Sequence, residues 1–386
     1  MKKDIVVFTR SLPFHGIGGM EIMIWDLITK FHELGCLVSV ITTDIPHKPE
    51  VFVEKGIKVI NIKNVQSGKY SNEWFRRSAQ IYKNIFLNKN NIVLSVSAGA
   101  KGLIDKNIKV PIIFQAHGTS LGEIKSKLRT LKIKPILSSI KNLIWFFKDL
   151  KIYKKVNSIV AVGDKVYEDL VHMPYKIFLN EKKVFLIRNG INTDIFKPDL
   201  KKRQEIRNRY NFTDKTKIFI SVSRLHRQKG VYLSLKAFAE YHRQKQDSFY
   251  FIIGDGEEKA NLMNLAKKLQ IEKKVTFLGS MRREEIVDYL NASDIFLFNT
   301  LRNEGLPLNV LESLAVGLRV IISSHINEVI NINADVIKGA NPKKISEIVK
   351  KINEFSRYER EYVSYLPEEY TLDYCAKKYI ELMERI

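Results

Sequence analysis

Glu304 and Glu312 stand eight residues apart in the stretch IFLFNTLRNEGLPLNVLESLAVG, with Gly305, Leu306 and Pro307 next to the first acid. The apolar run Ile295 to Phe298 before them is short enough for a buried strand. Val310, Leu311, Leu314 and Ala315 after them are spaced as one face of a helix. One acid therefore precedes a helix N-terminus, where free N–H groups and the dipole favour negative charge, and the second rides on that helix. Pro307 suits the first turn because it has no N–H to leave unpaired. Taken alone, the two acids are also what a first-turn acid and a solvated helix residue look like.

The elements around this stretch narrow the reading. Five apolar runs punctuate the second half of the chain, at Ile218 to Val222, Phe249 to Ile253, Val275 to Leu278, Ile295 to Phe298 and Val320 to Ile322, with helical segments between them. This alternation implies a parallel sheet. The residues just past each run are polar or glycine: Arg224, Arg227, Lys229 and Gly230; Gly254-Asp255-Gly256-Glu257; Gly279; Glu304 and Gly305; Ser323, Ser324 and His325. Parallel strands bring all five ends to one edge, the edge at which open α/β sheets bind ligands. Cations, glycines and acids gathered there suit a polar ligand that bears phosphate.

The first half reads as a second α/β sheet. Ile5 to Phe8 is a strand, His15-Gly16-Ile17-Gly18-Gly19 a loop, Met20 to Leu34 a helix stopped by Gly35, and Leu37 to Ile41 a strand. Glu21 occupies the place of the third glycine of G-x-G-x-x-G, so the dinucleotide fingerprint is absent. The loop is then either an ordinary βα turn or one whose backbone approaches a ligand closely. Further strands are expected at Lys58 to Ile62, Ile92 to Val96, Ile112 to Phe114 and Ser158 to Val162. His117 falls just past the third of these, at a ligand-binding edge, although a lone histidine is often structural. Asn189-Gly190 signals a turn and marks the crossover between domains. The tail carries helical segments from Pro342 to Phe355 and from Leu372 to Ile386, the latter apolar at Leu372, Cys375, Tyr379 and Leu382.

At 386 residues the chain is too long for one ordinary core. The expected division is residues 1–190, 191–366 and a C-terminal helix, 367–386, that packs back on the first domain. The net charge of +22 points to anionic partners. Over a third of that excess lies between Leu121 and Lys155, where ten Lys or Arg oppose only Glu123 and Asp149. Lys132, Lys134 and Lys141 interleave there with apolar residues that include Trp145 and Phe146. Basic charge mixed with aromatics suits the surface of an anionic bilayer, or else a helix packed on the core with a solvated basic edge. Nucleic acid is a remote third partner, since no named binding motif appears. Cys36 and Cys375 imply no disulfide framework and fit a reducing cytosol. MKKDIVVFTR reads as a first strand and not a signal peptide. No uncharged apolar run approaches the ~18 residues of a membrane span.

Ser223-Arg224-Leu225 with Lys229-Gly230, Gly254-Asp255-Gly256-Glu257, Glu304-Gly305-Leu306-Pro307 with Glu312, and Asn189-Gly190-Ile191-Asn192 with Phe196 together resemble family 4 of the glycosyltransferases. Gly18-Gly19-Met20-Glu21 and His117-Gly118 match more weakly. The resemblance covers nearly the whole chain. It departs from the family at Ser324-His325-Ile326-Asn327, where members often carry a small glycine-rich turn before Glu-Val-Ile. It implies the GT-B fold: α/β, two Rossmann-like domains with parallel sheets facing across a cleft and a C-terminal helix crossing back. It implies a retaining glycosyltransferase whose donor is a nucleotide sugar. By the same match, Arg224 and Lys229 hold the donor diphosphate, Glu312 accepts from the ribose hydroxyls, Glu304 binds the transferred sugar beside Gly305 and Leu306, His117 meets that sugar, and Gly18 and Gly19 line the phosphates. Gly254 and Gly279 join the donor site. The diphosphate leaving group needs fixed positive charge, which Arg224, Lys229 and helix N-termini supply. No Asp-x-Asp occurs in the sequence, and no metal or cofactor is expected. The expected acceptor is a lipid-linked saccharide met at the inner face of the cytoplasmic membrane, with a small-molecule glycoside made in solution as the alternative.

Overall fold

The computed structural model describes residues 4–16, 18–120, 145–302, 307–327 and 332–386. The chain divides into two compact units, Met1–Gly190 with Leu372–Ile386, and Ile191–Thr371.

The first unit is built on a sheet of order β3-β4-β2-β1-β5-β6-β7-β8. Its strands are β1 Asp4–Phe8, β2 Leu37–Thr42, β3 Val51–Glu54, β4 Ile57–Asn61, β5 Asn91–Val96, β6 Ile112–Ala116, β7 Ser158–Ala161 and β8 Val184–Leu186. Every pairing is parallel except that of β3 with β4. The central strands are apolar at almost every position because both faces of the sheet are covered. Helices Gly19–Glu33 and Leu372–Glu384 share the core on one face with Val7, Val40 and Leu94. Helix Asn72–Ile85 and the helical residues 145–155 join the core on the other. The C-terminal helix is held by the Lys30–Asp373 ion pair at 3.3 Å and by Phe31 and Tyr379, whose ring centroids are 5.9 Å apart.

The chain re-enters this unit at Leu372, later than the expected 367. Tyr370 is still part of the second unit's core, and its carbonyl accepts from Ile191 N at 2.8 Å.

The second unit has a six-stranded, wholly parallel sheet of order β11-β10-β9-β12-β13-β14. Its strands are β9 Lys217–Val222, β10 Ser248–Ile253, β11 Val275–Gly279, β12 Ile295–Phe298, β13 Arg319–Ser323 and β14 Ile337–Ala340. Chain order reverses between β9 and β12. At such a switch point the outgoing loops diverge to opposite faces and leave a crevice beyond the strand tips.

Candidate active site

The switch-point crevice of the second unit is a cavity of about 450 Å³ lined by Arg224, His226, Gln228, Lys229 and Arg302. Arg224 comes off β9 and Arg302 off β12, so cations reach it from both sides of the reversal. Lys229 ends a short 3₁₀ turn, Arg227–Lys229, and its Nζ lies 5.6 Å from the centroid of Phe298 at the tip of β12. Among the described residues no acidic side chain lines this cavity. The arrangement can hold a strongly anionic group by point charge and by the forked guanidinium donors.

The rim is cross-tied through backbone. Leu225 N donates to Asp255 O at 2.8 Å, Ser223 N to Ile253 O at 3.0 Å and Gly254 N to Gly279 O at 2.8 Å, linking the exits of β9, β10 and β11. Leu301 N and Thr300 Oγ1 both donate to Gln228 O, at 2.8 and 3.0 Å, tying the exit of β12 to the turn that carries Lys229. Gly254 has φ +131°, and a Cβ there would lie 1.9 Å from the Ser223 carbonyl. Its place beside the site follows from this close loop approach, which no other residue type permits.

Glu312 sits on helix Leu308–Ala315 and is not a solvated face residue. Its Oε1 accepts from Arg283 Nη2 at 3.0 Å, and both side chains are nearly buried. The Arg283 guanidinium also lies 4.9 Å from the Phe196 ring centroid. Pro307 is the N-cap of that helix, one residue earlier than its expected first turn. Glu304, Gly305 and Leu306 lie outside the described residues, as do Lys132, Lys134 and Lys141. Gly279 closes β11 with φ +73°.

In the first unit, His117 lies just past β6. Its Nε2 is 2.9 Å from Gln115 Oε1, and Gln115 Nε2 donates to the Tyr379 hydroxyl at 2.8 Å. In this pairing Nε2 carries the proton and Nδ1 keeps an accepting lone pair. Burial, reinforced by the Arg10 cation, lowers the imidazole pKa to about 4, so the ring is neutral near pH 7. A neutral imidazole is suited to accepting a hydroxyl proton in a hydrogen bond.

Gly18 is the N-cap of helix Gly19–Glu33. Gly16, Gly18, Arg10, Ser11, His15 and Glu21 help line a separate cavity of about 280 Å³. The helix's own Glu21 folds back over Gly18, and Ser11 Oγ donates to its Oε1 at 2.8 Å.

The structure corrects the reading of Phe146. It is 7 % exposed and packs on the buried Tyr175 at 5.2 Å between centroids, so it belongs to the core and not to a lipid or acceptor surface. Trp145 is half-buried, with Lys148 Nζ 4.8 Å from its ring centroid.

Comparison with known proteins accounts for both units. Residues 17–195 match the family model described as Glycosyltransferase Family 4, and residues 202–366 that of Glycosyl transferases group 1. The chain belongs to this glycosyltransferase family. The transferase is 26 % identical over 336 residues to the alpha-monoglucosyldiacylglycerol synthase of Streptococcus pneumoniae, covering 85 % of this chain and 72 % of that one. It is 29 % identical over 185 residues to the O-antigen biosynthesis glycosyltransferase WclY of Escherichia coli, covering 48 % of each. The solved structure of Anabaena Alr3699/HepE in complex with UDP shares its fold, with a TM-score of 0.70 over the whole of both chains at 14 % identity. The GT-B fold expected from the motifs is therefore observed.

Three lining residues carry no motif signal in the sequence, Arg302, His226 and Gln228. Arg302 stands two positions before Glu304. His226 lies between two residues read as cationic, and its Nε2 is 3.3 Å from Glu257 Oε1.

Proposed function

We propose that this glycosyltransferase moves a hexose or N-acetylhexosamine from a nucleotide sugar, a UDP-sugar in preference to GDP-mannose, to a lipid-linked saccharide acceptor in surface polysaccharide synthesis, with retention at the anomeric carbon and without a metal. The cation-lined crevice at the switch point of the second unit carries the reading. UDP in the complex of the structurally similar HepE supports the donor, and the glycolipid and O-antigen relatives support the acceptor.

In the reaction the bond from the anomeric carbon to the donor phosphate oxygen breaks, and its electron pair stays on the leaving diphosphate. Arg224, Lys229 and Arg302, which line the cavity, stabilise that charge, which is the role a metal plays elsewhere. The acceptor oxygen bonds the anomeric carbon on the face being vacated, and its proton passes to a phosphate oxygen of the leaving group. Glu304 orients the transferred sugar, Glu312 the ribose, and His117 accepts from a sugar hydroxyl through Nδ1. The acceptor places the enzyme on the inner face of the cytoplasmic membrane as a peripheral protein. Among the described residues no helix is long and apolar enough to cross a membrane.

Thermal melting across a panel of nucleotide sugars tests the donor, because a ligand bound only by the folded state raises the midpoint. Transfer in the presence of EDTA tests metal independence, and the anomeric configuration of the product tests retention. Full transfer by both Glu304→Ala and Lys229→Ala would refute the site.

A further inference from the structure

In the first unit, the residues just after helix Asp164–Val171 form an exposed apolar projection. Met173 is 64 % exposed, Ile177 64 % and Phe178 41 %, yet Tyr175 between them is wholly buried. Tyr175 packs on Phe146 and Tyr153 of the helical residues 145–155, at 5.2 and 6.0 Å between centroids. The projection is thus anchored to that helix. The helix's outward face adds Phe147, 63 % exposed, with Lys148, Lys151 and Lys154 also exposed. Lys154 Nζ lies 5.7 Å from the Phe178 centroid, which makes the two elements one surface, and the exposed Lys176 adds a fourth cation.

Burying the inward residues Phe146 and Tyr153 fixes the helix's rotation and drives Phe147 outward. Phe178 and Ile177 are driven outward in the same way by burial of Tyr175. Water-facing apolar side chains of this size call for an occupant.

We propose that this surface is the enzyme's docking site for an anionic lipid bilayer. Met173, Ile177, Phe178 and Phe147 enter the headgroup region, and Lys148, Lys151, Lys154 and Lys176 meet lipid phosphates. The charge decides the class of partner, because lysines around apolar tips complement an acidic, apolar-backed surface. A second copy of the chain fits poorly. It would bring lysine against lysine, and the four apolar side chains expose roughly 400 Å² against the ~800 Å² per partner of a stable interface. The surface lies outside residues 121–144, on side chains that composition alone assigns to a core. The proposal deepens the lipid-linked reading of the acceptor and rests on it for its purpose.

Flotation of the full chain with phosphatidylcholine vesicles, with and without phosphatidylglycerol, tests it. The wild type floats with the anionic vesicles and is released by high salt. The Ile177→Ser/Phe178→Ser variant loses partitioning by about tenfold or more because two apolar side chains no longer enter the headgroup region. The Lys148→Glu/Lys151→Glu/Lys154→Glu variant loses about tenfold or more because each surface lysine near an anionic membrane contributes a several-fold factor. Each variant is accepted as folded only if UDP raises its melting midpoint as in the wild type. Wild-type absence from anionic vesicles, undiminished flotation of folded variants, or a wild-type dimer that the variants abolish in sedimentation would overturn the proposal. Loss of the UDP shift in the wild type would instead count against the donor reading, so the two failures are separable.

Discussion

The strand-tip edges of the two sheets are made of similar parts and arranged to opposite effect. In the second unit the backbone groups of neighbouring loops satisfy one another, and Arg224, Lys229 and Arg302 line the cavity. In the first unit the polar side chains are engaged with their own chain, Glu21 with Ser11 and His117 with Gln115 and, through it, Tyr379. Cross-tied loops hold in place the chain segments that carry these cations, which suits a leaving group that becomes more anionic as the reaction proceeds. A rim held by side chains presents oriented acceptors, the neutral His117 ring among them, which suits sugar hydroxyls.

The largest test of this contrast is Lys229→Ala, for which transfer should fall by about 10²–10³ in kcat, as when one preorganised donor is removed. A smaller loss than that from His117→Ala would collapse the distinction between the two edges. Gly254→Ala comes next. With a Cβ 1.9 Å from the Ser223 carbonyl, the cross-tied rim must open. The expected cost is about 2–3 kcal/mol of stability, read by chemical denaturation and recovered in no small-residue variant.

The third test is pH. His117 has a folded pKa of about 4, below the unfolded 6.5, so its contribution to stability is complete above about pH 6.5 and is lost as pH falls toward 4. Discounted for partial exposure, the loss amounts to about 2 kcal/mol, and His117→Asn should flatten the stability profile across that window. The mildest test is Tyr379→Phe, which removes the hydroxyl that accepts from Gln115. A cost of about 1 kcal/mol is expected, together with a further fall in the His117 pKa by NMR titration, because the Gln115 carbonyl oxygen that the Tyr379 hydroxyl holds in place favours the protonated ring.

The legibility of the fold in the sequence divides along physical lines. Strands buried on both faces announce themselves, and Ile295 to Phe298 coincides with β12. Edge strands do not. In β3, Val51 and Val53 face solvent, and β14 is interrupted by Lys338 and Gly339. The cations after β9 are visible from their position past an apolar run, whereas Glu312's pairing with Arg283 is not, because the two come together only through the sheet. Helical phase is where the reading of Phe146 fails. Phe146, Leu150 and Tyr153, spaced i, i+4, i+7, are the inward stripe, which leaves Phe147 outside. The projecting Met173, Ile177 and Phe178 have core-like chemistry, and only the burial of Tyr175 determines that they point away.

The return of the chain at Leu372 has a temporal consequence. Ile24, Ile28 and Phe31 belong to a core that Leu372, Tyr379 and Met383 help complete. During synthesis those closing residues leave the ribosome after the whole of the second unit. The first unit, begun earliest, is therefore the last to be sealed, and in the interval its uncovered helix face is open to chaperones and to misassociation.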